Sequence, residues 1–361
     1  MTDNPHRRGP RSSKRLVLGF SGLLIGATCQ AASGPAVEPG RSATAGALVE
    51  AVAEQLSVEY GQQQVQRLAS KEDRDSLITA ALLGSRNRDP SAAGQTTLLI
   101  QQLIKSNTKD PLALYVAALI CQTQTQTCTH PEYREQLLKL EPRNAINFLL
   151  LPNSASPSAE QLHAAAMAGK ADSHLNSLLG IVRSALADQP APAGTARSVD
   201  EAELALVLRR NAMADVPWPR IGPTMGLCNA DVAGQPGQAR LHQDCSKLGV
   251  ALLADEGHSL VTRMFGGTLL RRFAKGSTAA AEALEMRRQY VWMSELPEQQ
   301  SSAEQEKFHE EAAMFGEWEA LQRQTERAGV ARTPAADWVP KNPEFLLLPE
   351  EREPPVAVKK P

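Results

Sequence analysis

Between Lys71 and Ala187 the chain is cut into short blocks, and in each block the large apolar residues recur at helical spacing. "KEDRDSLITAALLG", "AAGQTTLLIQQLIKSN", "DPLALYVAALICQ", "HPEYREQLLKL", "EPRNAINFLLL", "SAEQLHAAAMAG" and "DSHLNSLLGIVRSALA" follow one another, separated by Gly, Pro, Asn or Thr. This pattern makes short amphipathic helices joined by tight turns. Aromatic residues make up only 4% of the chain, while alanine and leucine are abundant. That balance suits close-packed helices rather than sheets, which draw on β-branched and aromatic side chains. The expected fold class is all-α: helical hairpins stacked as a short repeat-like array, followed by a second helical bundle.

Helix starts are legible in several blocks. Asp110–Pro111 pairs an N-cap residue with proline at the first helical position. Thr129 with Glu132, Ser158 with Gln161 and Ser198 with Glu201 fit capping boxes. Upstream, Leu48, Val52, Leu56, Val65 and Leu68 keep helical spacing, with Gly61 expected to break the helix.

Asp75, Asp110, Glu141 and Asp172 each open a block, at intervals of 35, 31 and 31 residues. Aligning the last three superposes Ala117, Phe148 and Leu179, then Leu119, Leu150 and Ile181, which makes two apolar columns. "LLKLEPRNAINFLLL" resembles the joint between helices of a tetratricopeptide repeat. "AAAMAGKADSHLNSLLG" resembles the related Sel1-type repeat. The resemblance covers roughly residues 70–188 and implies stacked helical hairpins that bind a protein or peptide in a groove.

The N-terminus has the order of a secretory signal: basic "MTDNPHRRGPRSSKR", apolar "LVLGFSGLLIGA", then small residues. The organisation expected is a signal peptide over 1–31, a flexible leader over 32–44, and a helical-repeat-like region over 45–188. A linker over 189–198, a C-terminal helical region over 199–332 and a Pro-rich extended tail over 333–361 complete it. The apolar run Leu16–Ala27 is too short to span a bilayer comfortably. Cys29 in "GATCQ" resembles the lipidated cysteine of a bacterial lipobox. Cleavage near Ala31 or Ser33 is preferred, and lipidation at Cys29 is the alternative that would bring the chain to a membrane. Removing the signal takes away five basic side chains and one acidic one, moving the net charge from −2 to −6. Nucleic acid is not expected as a partner.

Four cysteines then remain, an even number, as a disulfide framework in an oxidising compartment has. Pairing in sequence order gives Cys121–Cys128 and Cys228–Cys245; a zinc site of Cys228, His242, Cys245 and His258 is the rival. No metal or other cofactor is expected.

No P-loop, dinucleotide fingerprint, nucleophile elbow or zincin motif occurs, and no catalytic residue is assigned. His163 and His174 read as surface or packing histidines. Asp255, Glu256 and His258 read as a helix-start cluster, capped by Ser259 or Asp255. The pairs Arg209–Arg210, Arg271–Arg272 and Arg287–Arg288 read as solvated faces or ion pairs, and Tyr290 and Trp292 as anchors of the C-terminal core.

"FLLLP" occurs twice, at 148–152 and 345–349. The first closes a helix starting near Asn144, and its leucines are expected in the core. The second is bracketed by Pro340, Pro343 and Pro349 and cannot form a long helix. Phe345, Leu346, Leu347 and Leu348 either fold back into a groove of the chain's own helices, the preferred reading, or dock on a partner as an extended peptide. The function expected is an exported, non-catalytic helical-repeat protein that binds a protein or peptide partner in the bacterial cell envelope. A periplasmic hydrolase with its site in 214–260 is the alternative.

Overall fold

The computed structural model describes residues 45–86, 90–123, 132–152, 155–192, 199–214, 216–295 and 302–352. Among these residues there are fifteen α-helices and no strand; the fold is all-α. In chain order they are α1 (Ala45–Ala69), α2 (Arg74–Gly84), α3 (Pro90–Ser106), α4 (Pro111–Thr123), α5 (Glu132–Leu140), α6 (Ala145–Leu149), α7 (Ala159–Ala168) and α8 (Leu175–Leu186). Then follow α9 (Glu201–Ala214), α10 (Ala230–Ala233), α11 (Ala239–Leu253), α12 (Leu260–Phe273), α13 (Thr278–Ser294), α14 (Ser302–Phe315) and α15 (Glu317–Arg327). No helix of the described residues is long and apolar enough to cross a membrane.

The caps explain where many helices begin. Asp110 accepts from Ala113 N at 3.0 Å at the start of α4, and Ser158 and Gln161 form a complete capping box on α7. At α9 Asp200 accepts from Glu203 N at 2.9 Å. Thr129 and Ser198 lie outside the described residues. Gly169, at φ 84°, ends α7 in the left-handed conformation that glycine adopts without strain.

One expectation about helix continuity is corrected. α1 runs unbroken through Gly61, because Tyr60, Val65 and Leu68 on either side are buried and their packing outweighs the roughly 1 kcal/mol that a helical glycine costs. Further along, α14 and α15 are parted at Gly316. There φ is 85°, and a β-carbon would overlap the side chain of His258.

α1 packs on α2 and α9, α14 on α8, α9 and α15, and α7 on α6 and α11. The helices before and after 189–198 therefore share one core, which runs from Val49 to Ala320. Both apolar columns of the 31-residue period lie in or against that core; Ala117, Leu119, Leu150 and Leu179 are buried, with Phe148 and Ile181 packed on it. The leucines of the first FLLLP are buried as expected.

Three turns between helices stack side by side. Ala145 N, at the α5–α6 turn, donates to Lys170 O in the α7–α8 loop at 2.8 Å. Glu256 N, in the α11–α12 turn, donates to Ala171 O at 2.9 Å, and Asn176 N donates back to Gly257 O at 3.3 Å. Gly257 has to be a glycine here, since a β-carbon would overlap Ser173.

Candidate functional site

α12 and α13 carry the arginines that hold the C-terminal segment. Two 3₁₀ turns, Pro343–Leu346 and Pro349–Glu351, fold residues 333–352 back over these helices. Arg287 Nε donates to Phe345 O at 2.7 Å and Arg271 Nη2 to Leu346 O at 2.6 Å. Arg288 donates to the carbonyls of Ala335, Ala336 and Trp338. Arg272 makes two hydrogen bonds of 2.6 Å to Glu350 and one of 2.7 Å to Cys228 O. A planar guanidinium fits such forked acceptors better than an ammonium does.

Aromatic contacts reinforce the grip. Trp292 Nε1 donates to Ala331 O at 2.8 Å and its ring meets Trp338 edge-on at 5.3 Å. Tyr290 lies under Arg287 at 5.5 Å. Trp292 thus holds the tail directly and Tyr290 backs an arginine that holds it; neither is among the buried core residues.

The second FLLLP is only partly covered. Leu348 is buried, Leu346 is half-buried, and Phe345 and Leu347 are 45% and 37% exposed. Four of the six paired arginines converge, but on carbonyls and carboxylates of the tail. Arg210 instead pairs with Glu50 at 2.6 Å, and Arg209 reaches Gln189 O at 3.4 Å.

Cys228 and Cys245 form a disulfide that ties the irregular segment after α9 to α11. This removes both sulfur ligands of the rival zinc site, and His242 packs edge-on against Phe273 instead. Among the described residues no group of three or more His, Cys, Asp or Glu is arranged to hold a metal. Cys121 is buried at the end of α4; Cys128 and Cys29 lie outside the described residues, as does the expected signal peptide.

Three acidic residues of 214–260, Asp244, Asp255 and Glu256, are tied into the scaffold. Asp244 is buried with both carboxylate oxygens 3.0 Å from His163 Nδ1, which joins α11 to α7. Asp255, also buried, accepts from Ser173 N, Ser173 Oγ, Gly257 N and Ser259 N at 2.7, 2.6, 3.3 and 2.8 Å. Burial pushes its carboxyl up, and the hydrogen bonds from Ser173 and Ser259 offset part of that rise. Ser259 caps α12 through Thr262 N, and Glu256 pairs with Lys170 at 2.8 Å.

The turn stack also brings together residues that sequence reasoning had not linked. His174 sits between Glu141 and Asp172, at 3.2 and 3.3 Å, with the buried ring of Tyr115 at 4.7 Å. Asn144 and Asn147 both donate to Glu141, at 3.3 and 3.0 Å. Glu141 and Asp172 are two of the acidic residues that mark the 31-residue period, so a signal for this cluster was present. Its other members, Asp255 and Tyr115, carry no such mark. Compared with family models, curated proteins and solved structures, the chain matches none of them.

Proposed function

We infer that this chain is an exported, non-catalytic helical protein of the bacterial cell envelope, and that it docks on a protein partner through Phe345–Leu348. One observation carries the reading. Arginines of α12 and α13 clamp the main chain of this segment and Leu348 is buried, yet the side chains of Phe345 and Leu347 stay exposed. An apolar pair held on rigid helices loses little freedom when a partner covers it. A partner with an apolar cleft fits this chemistry.

Export is supported by the signal-like order of residues 1–31 and by the Cys228–Cys245 disulfide, since such bonds persist in oxidising compartments. A mature charge of −6 gives no reason to propose nucleic acid as a partner.

The test is crosslinking in the intact cell followed by co-purification. It compares the full mature chain, the variant Phe345→Ala/Leu347→Ala and a chain lacking residues 333–361. Both substituted side chains are exposed, so the double variant should unfold within about 0.5 kcal/mol of the parent. A single stoichiometric partner, lost in both altered forms, supports docking. No partner with the full chain sinks the proposal and returns attention to a hydrolytic site in 214–260.

A further inference from the structure

The ring of His174 has a carboxylate on each nitrogen. Nε2 lies 3.2 Å from Glu141 Oε2 and Nδ1 lies 3.3 Å from Asp172 Oδ2. An ionised carboxylate only accepts, and a neutral imidazole donates from one nitrogen alone. Nε2 hydrogen-bonds Glu141, while Nδ1 stands at ion-pair distance from Asp172. A neutral ring that donates to Glu141 therefore turns a bare nitrogen lone pair toward an anion, and only the imidazolium suits both neighbours. The backbone adds a second observation: His174 has φ 52°, a left-handed conformation outside glycine, which costs about 1–2 kcal/mol. Its own amide, bonded to Asp172 Oδ1 at 2.8 Å, helps hold it there.

Charged and titratable groups face the ring from every side. Glu141 comes from the α5–α6 turn, Asp172 from the α7–α8 loop, Asp255 from the α11–α12 turn and Tyr115 from α4. The Lys170–Glu256 pair lies at the solvent edge of the same stack. Three carboxylates therefore surround one imidazole, and a neutral ring would leave Glu141 and Asp172 with no cation between them.

We propose that His174 is a proton-operated clasp that locks the α7–α8 loop between the α5–α6 and α11–α12 turns and releases it when the ring loses its proton. This inference is independent of the docking role of the tail. The same loop bonds to Asp255 through Ser173 and to Glu256 through Ala171. Release at His174 therefore loosens the junction between the region ending near 188 and the helices that follow.

The ionisation balance supports the geometry. Burial pulls His174 down, but the Glu141 hydrogen bond and the charges of Asp172, Glu141 and Asp255 outweigh it and hold its pKa above 6.5. Burial pushes Glu141 up, but hydrogen bonds from His174, Asn147 and Asn144 and the His174 charge bring it to about 2. The His174 contribution is complete below pH 6.5 and is lost as pH rises through the raised folded value. The Glu141 contribution is present above pH 4.5 and is lost as pH falls through about 2. The clasp is thus tightest from pH 4.5 to 6.5 and opens on the alkaline side.

Global stability also responds to other buried carboxyls, so the test reads the loop itself in the full chain. Amide exchange, corrected for intrinsic rate, is followed at Asp172, Ser173, His174 and Glu256 at about pH 6 and about pH 9, with amides of α2 as reference. The His174 ring is titrated by NMR in parallel. The expected result is a ring midpoint above 6.5 and a loss of loop protection of about tenfold or more relative to α2. His174→Asn, which tolerates the left-handed backbone, should remove the pH response. Glu141→Gln, which keeps the ring, should lower its midpoint. A midpoint at or below 6.5, or loop protection that tracks α2 at both pH values, overturns the proposal.

Discussion

Gly266 on α12 lies so close to Gly249 on α11 that a β-carbon on Gly266 would come within 2.7 Å of Gly249 O and overlap the backbone nitrogen of Leu253. The obstacle is helix backbone on the facing side, which cannot rotate out of the way as a side-chain tip can. Gly266→Ala should therefore destabilise the protein by at least about 2 kcal/mol, despite the gain of about 1 kcal/mol in helix propensity. Urea unfolding measures this, and an unchanged or raised midpoint would show that the two helices can part cheaply.

The disulfide closes a loop of sequence separation 17, from Cys228 to Cys245. Constraining a loop of that length in the unfolded chain stabilises the fold by about 3 kcal/mol. Cys228 O also accepts from Arg272, so the bond fixes a segment that the C-terminal latch uses. Reductant, or the pair Cys228→Ala/Cys245→Ala, should lower the urea midpoint by an amount matching that figure. Equal midpoints with and without reductant would contradict it.

Local chemistry was readable from the sequence wherever a signal and its effect lie within one turn. The capping box at Ser158, the Asp110 cap, the Ser259 cap and the stop at Gly169 are all of this kind. The Cys228–Cys245 pair was readable from parity and proximity. What failed depended on distant packing. Gly61 reads as a break until Tyr60 and Leu68 are seen to be buried, and Gly316 gives no hint that it must clear His258. The cluster at His174 falls between these cases. Glu141 and Asp172 stand 31 residues apart and mark a period, but Asp255 arrives 83 residues after Asp172, outside that period. A histidine in a loop carries no sign of carboxylates brought to it by chain folding.

Glu317 opens α15 and accepts from Leu260 N at 2.6 Å, at the start of α12. The residue is only half-buried, but its carboxyl lies on the inner side. Burial pushes it up to about 7 against the lowering effect of the Leu260 hydrogen bond. A carboxyl raised in the folded state favours folding most below its unfolded value, 4.5, and that advantage is lost as pH rises to about 7. The loss is up to about 3 kcal/mol. Glu317→Gln should flatten this part of the stability–pH curve, read as urea midpoints at intervals from about pH 4 to about pH 8. A slope that persists in the variant would assign the effect to other groups.

Arg272 is the strongest point of the C-terminal latch. Its guanidinium is almost fully enclosed, with a side-chain exposure of 8%, and it binds Glu350 through two hydrogen bonds and Cys228 O through a third. Glu350, at 37%, stays in contact with water, so loss of the arginine does not strand a buried anion. The expected cost of Arg272→Ala is therefore about 2 kcal/mol, less than for a fully buried pair. Arg272→Lys should recover only part of it, because an ammonium cannot form both forked bonds to Glu350. The damage should be local. Proteolysis within 340–352 should speed up in Arg272→Ala while amides of α2 and α4 keep their protection, since local opening follows the contacts that close it. If instead α2 and α4 lose protection together with the tail, the latch belongs to the global fold and the segment is not a separately released unit.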